Sequence, residues 1–179
     1  MMDDAYEAVV QLLRRRGAAD VPHPGGTLLV HLQRVEERLR HHGADDVLRL
    51  AALAHAAYGT DGFDTALLTL SERHILVEAT NDDVEHLVYL YGACDRSASW
   101  PTLSETHEIH DRWTGRVVRP SAHVLARFVD LSIVNELDVV EHSAELMAKH
   151  RESLLTLCRS WHGLASPQIS DDAERVLGS

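Results

Sequence analysis

In segment after segment the apolar residues recur at helical spacing, and no stretch alternates convincingly with a period of two, which points to an all-α fold. Asp3 or Asp4 can cap a first helix on which Ala5, Val9, Leu12 and Leu13 share a face, and Gly17 ends it. Thr27 can cap a second helix running to His42, with Leu28, His31, Leu32, Val35 and Leu39 on one stripe. A third opens at Asp45-Asp46 and is apolar nearly all round through Val47, Leu48, Leu50, Ala51, Leu53 and Ala54, which marks it as central. It carries His55 in its last turn and stops at the loop Tyr58-Gly59-Thr60-Asp61-Gly62-Phe63. Asn81 can cap a fourth, with Val84, Leu87, Val88, Leu90 and Tyr91 buried, ending near Asp95-Arg96.

Residues 97–119 contain Pro101 and Gly115 and give no strong period, so they read as a loop with a short helix. A long helix is expected from Pro120-Ser121 past Leu146, followed by an amphipathic stretch from Ser153 to Leu164. With 179 residues and 20.0 kDa, one domain with a real core is expected: a compact multi-helix bundle over residues 1–166 and a tail over 167–179 holding one loose helix.

Charge and composition narrow the function. Twenty-eight acids against 17 bases give a formal charge of -11, which disfavours nucleic acid and anionic membrane as partners and leaves a small-molecule substrate as the first expectation. A second copy of the chain is a candidate partner. Asp3, Asp4 and Glu7 stand where a signal peptide needs a basic start, and no stretch reaches the roughly 18 apolar residues of a membrane span. Cys94 and Cys158 match neither a metal knuckle nor a disulfide framework. A reduced, cytoplasmic setting is therefore expected.

The compositional outlier is histidine, at 13 residues. His41, His42, His142 and His150 lie in polar helical surroundings and read as solvated. His31 and His55 instead interrupt apolar stripes on consecutive helices, where a buried imidazole must find a hydrogen-bond partner, a metal or a neutral pocket. A short connection at Gly43 would turn both into one interhelical space, the place where bundle metal sites form. Asp130, alone in the apolar stretch around Phe128 to Ile133, is an inward acid that needs a partner: a metal, an ion pair with Arg96 or Arg127, or a helix-to-helix hydrogen bond. His23, on the loop before the second helix, is a further candidate placed over the site.

His23, the run Thr27-Leu28-Leu29-Val30-His31-Leu32, the run Leu50 to Thr60 containing His55 and Tyr58-Gly59-Thr60, and Asp95-Arg96 resemble an uncharacterised, mainly bacterial helical family. That family is in turn similar to the HD metal-dependent phosphohydrolase superfamily, and the resemblance covers roughly residues 20 to 140. It implies an HD-like bundle in which His31, His55 and Asp130 hold the metal. Ala56 stands where the HD pattern has its metal-ligating aspartate, and alanine cannot coordinate. Three ligands could still hold one divalent transition metal, manganese, iron or zinc; a second ion would need replacements such as His74, His86, His107 or His110.

The expected activity is hydrolysis of a small, phosphorylated or otherwise electrophilic metabolite by metal-activated water. His23 or Asp61 would serve as acid or base, Arg96 would stabilise anionic charge, and Tyr58 and Thr60 would line the cofactor site. Two alternatives stand beside it. One is an HD-type iron oxygenase acting on a small molecule. The other, favoured by Ala56, is a metal-free domain that binds a small molecule or a protein, with Tyr58, Phe63, Trp100 and Trp113 as pocket aromatics.

Overall fold

The computed structural model describes residues 1–178, and the chain is all α apart from two very short hairpins. It divides into two compact units, Met1–Ala93 and Cys94–Ser179. No helix among the described residues is long and apolar enough to cross a membrane.

The first unit opens with α1 (Met2–Arg15), whose buried face is Val9, Val10, Leu12 and Leu13. Gly17 follows at φ +85°, the left-handed conformation that ends the helix without strain. Strand β1 (Pro22–His23) pairs antiparallel with β2 (Gly26–Thr27), His23 opposite Gly26, around a Pro24-Gly25 turn. Gly25 at φ +77° suits the third position of a type II turn with proline before it. Thr27 then caps α2 (Leu28–His41), its Oγ1 accepting from the Val30 amide at 3.4 Å. Asp45 caps α3 (Asp46–Ala54), accepting from the Leu48 amide at 2.9 Å.

As its apolar circumference requires, α3 is the central element of this unit, packed against α1, α2 and α5 (Asp82–Ala93). A 3₁₀ turn over Leu70–Glu72 leads into α4 (Arg73–Ala79), a short helix with only Leu76 buried and hence no readable stripe. Asn81 accepts from the Val84 amide at 3.0 Å and starts α5 as its sequence indicates. That helix ends at Ala93, because Asp95 is taken up as the cap of α6 (Arg96–Ser99).

In the second unit, α6, a 3₁₀ turn over Trp100–Thr102 and α7 (Leu103–Thr106) precede a hairpin of β3 (Ile109–His110) and β4 (Val117–Val118). The stretch read as loop with a short helix is thus more ordered than its lack of period suggests. Helix α8 (Ala122–Glu141) starts after Ser121, whose hydroxyl accepts from the Val124 amide. It does not run past Leu146: Ser143 leaves the helical conformation and caps a separate helix, α9 (Ala144–Ser160), by accepting from the Leu146 amide. The helix expected to be loose, α10 (Pro167–Leu177), packs on α8 and α9 through Ile169, Ala173 and Leu177.

Candidate functional site

The chemistry-bearing cluster of the first unit is a file of five rings. His31 comes from the first turn of α2, where its stripe turns it inward to 1% exposure. His55 is the C-terminal cap residue of α3, one residue beyond the helix, and is 2% exposed. Their Nε2 atoms face each other at 3.4 Å, with the rings edge to face at 81°. Beyond His55 stands Tyr91 of α5, edge to face at 5.2 Å between centroids. On the other side the half-buried His23 ring stacks on His31 at 3.9 Å and 23°, and the half-buried Phe63 meets His23 edge-on at 5.4 Å. The file therefore runs from a partly exposed end, Phe63 and His23, to a buried one, His55 and Tyr91.

One hydrogen bond fixes the state of the inner ring. His55 Nδ1 lies 2.7 Å from the Ala52 carbonyl oxygen. A carbonyl only accepts, so Nδ1 carries the proton and, in the neutral ring, Nε2 presents its lone pair to His31. An N–H bond to a neutral acceptor prefers about 2.7–3.2 Å. At 3.4 Å the contact is a long hydrogen bond in which His31 Nε2 donates to His55 Nε2; two imidazole nitrogens, each about 2.0–2.1 Å from one ion at a tetrahedral angle, would lie about 3.3–3.4 Å apart as well. Among the described residues, no group of three or more His, Cys, Asp or Glu side chains is gathered as a metal-holding cluster. The pair brings together two candidate donor nitrogens. Ala56, buried beside it at 2% exposure, brings no third donor.

Around the pair, Tyr58 and Thr60 are held by structure of their own. Tyr58 donates to Glu85 Oε1 at 2.9 Å, and Arg73 donates to both Glu85 oxygens at 2.6 Å while stacking over Tyr89. Burial first, and then the adjacent Glu85 carboxylate, push the Tyr58 phenol well above its ordinary value, so it stays protonated as a donor. Thr60 is buried, its backbone exchanging two hydrogen bonds with Phe63 across the Gly59-to-Phe63 turn. Gly59 at φ +74° would bring a side chain against Asp64 backbone at 3.2 Å, which keeps this turn glycine-dependent. Asp61 is half-buried in the same turn, two residues from Phe63.

Asp130 and Arg96 belong to the second unit. Asp130, 8% exposed on α8, accepts from the Ser166 amide at 2.8 Å, the cap of α10, so one helix-to-helix hydrogen bond satisfies Oδ1. Arg96 pairs with Glu136 at 2.9 Å and lies over the Trp100 ring. His74, His86 and His107 are exposed, and His110 is half-buried in β3. Cys94 and Cys158 are buried thiols, and burial with the Glu136 and Glu174 charges pushes Cys158 up to about 12.

Arg73 and Glu85 carry a sequence signal that is easy to pass over: an acid, Glu85, set between Val84 and Leu87 on a buried face. Tyr91, read as core, is also the inner wall of the histidine pair.

No curated protein matches this chain, and no solved structure matches it. Residues 12–96 match a family model described as a domain of unknown function (DUF6817), a span that takes in His23, His31, His55, Tyr58, Asp61 and Arg96 and ends before Asp130; over that stretch the chain is similar to this family.

Proposed function

We propose that the first unit is a metal-dependent hydrolase module of HD-like type. In it, His31 and His55 hold one divalent transition metal through their Nε2 atoms, and the substrate is a small phosphoester metabolite. The observation that carries this reading is the 3.4 Å separation of two Nε2 atoms with His55 Nδ1 tied to a carbonyl. That tie is the usual outer support of a histidine ligand, because it fixes the tautomer and aims the lone pair. Imidazole donors suit zinc, iron and other borderline metals. A divalent ion held there by His31 and His55 would supply Lewis-acid activation of water.

The chain's own groups do the rest. His23, at the half-buried end of the file, is the imidazole placed to move a proton to or from a substrate, and Asp61 lies in the adjoining turn. Phe63 and Tyr91 wall the two ends of the file. The second reading, a metal-free binding domain, is favoured by Ala56, which stands beside the pair and cannot coordinate.

Phosphate release from a panel of small phosphomonoesters, with and without added Mn2+, Fe2+ or Zn2+, separates the two. Metal-dependent turnover that falls roughly a hundredfold or more in His23→Ala supports the hydrolase, that being the scale of a lost acid–base group. Absence of turnover with every metal supports the binding domain instead.

A further inference from the structure

The histidine pair is closed over by a hairpin, and the hairpin is held down by a residue with no place in the chemistry above. Arg34 lies one turn after His31 on α2. Its guanidinium donates to the Gly25 carbonyl at 3.1 Å and to the Pro24 carbonyl at 2.9 Å, the two residues of the β1–β2 turn. Those strands are only two residues long each, too short to hold themselves in place. Yet β1 carries His23, and the face of that ring covers His31 at 3.9 Å. His23 is thus carried on a hairpin that Arg34 clamps from the same helix that carries His31.

We propose that Arg34 is a positioning residue that latches the Pro22–Thr27 hairpin over His31, so that release of this latch uncovers the His31–His55 pair. His31 and His55 are 1% and 2% exposed, so a reagent or substrate must displace something to reach them. At the partly exposed end of the file the covering groups are His23 and Phe63. Gly25 and Gly26, at φ +77° and +140°, give the hairpin backbone torsions that other residues resist, which keeps this tight turn under Arg34 glycine-dependent. The guanidinium reads two carbonyls with a planar fork, which a lysine ammonium cannot copy. The proposal rests on reading the pair as the functional site for its meaning, but its test needs no metal.

The test compares the full-length protein with Arg34→Ala, Arg34→Lys and His23→Ala, each checked for helix content by circular dichroism. Two quantities are read: the ring-current shift that His23 imposes on the His31 ring protons, by NMR, and the rate of carbethoxylation of His31 and His55 by diethyl pyrocarbonate, by mass spectrometry. Both Arg34 variants are expected to lose the ring-current shift. They are also expected to react at His31 roughly tenfold or more faster, as His23→Ala does, since reaction through a rarely open state is slowed by the fraction open. Guanidinium ion below denaturing concentration is expected to restore protection in Arg34→Ala and not in His23→Ala, a rescue that a merely structural defect would not show. A retained ring shift in Arg34→Ala overturns the latch, and a lost shift with unchanged reactivity overturns its control of access. Failure of every metal to bind would remove the hydrolase reading and leave both of these results standing.

Discussion

A buried imidazole and a buried carboxylate meet the same rule in this chain, that a polar group out of water must be answered, and they meet it differently. His55 is answered by the Ala52 carbonyl on one nitrogen and by His31 on the other. Glu85, 4% exposed, is answered three times over by Tyr58 and the two-pronged Arg73. The Tyr58 contact is structural, and it lies three residues from His55. Tyr58→Phe removes one hydrogen bond to a buried charge and is expected to cost about 1–2 kcal/mol, read as a lower midpoint in urea. An unchanged midpoint would show that the phenol is not a support of the turn. His31 and His55 are legible in the sequence because each breaks an apolar stripe. Arg34 is not, because its targets are backbone carbonyls, which every residue possesses, and only the folded turn brings them to it.

Caps and stripes make most of the helices readable: Thr27, Asp45, Asn81 and Ser121 each accept the amide bond that their position suggests. Where reading fails, a local group outweighs the period. Ser143 divides what the apolar pattern joins, and α4, with one buried residue, has no pattern to read. The turn before α4 is also tied to the first helix. Glu72 accepts from the Thr69 backbone amide and from Arg16, which follows α1, and these bonds lower its carboxyl from 4.5 to about 2. A depressed carboxyl contributes stability that is fully present above the unfolded value and is lost as pH falls through the folded one. The contribution of Glu72 is therefore expected in full at neutral pH and lost between pH 4.5 and about 2. Thermal melts across that window should fall more steeply for the wild type than for Glu72→Gln, with the two curves converging at the acid end. Parallel curves would mean that the Arg16–Glu72 tie contributes nothing.

For the molecule as a whole, the all-α class and the central place of α3 follow from periodicity alone, while the division into Met1–Ala93 and Cys94–Ser179 does not announce itself in composition. No run of glycine, proline or serine marks the boundary, which falls at the end of an ordinary amphipathic helix. The matched family span, residues 12–96, lies almost wholly in the first unit, as does the ring file. His31 and His55 are proposed to hold one ion together. Calorimetric and absorbance titration of the chelator-treated, untagged full-length chain with Co2+ tests it most directly, with His31→Gln and His55→Gln as partners verified to be folded. One equivalent bound per chain with a d–d spectrum, lost in both variants, is the result the account predicts; no binding to the wild type, or binding undiminished in either variant, would contradict it.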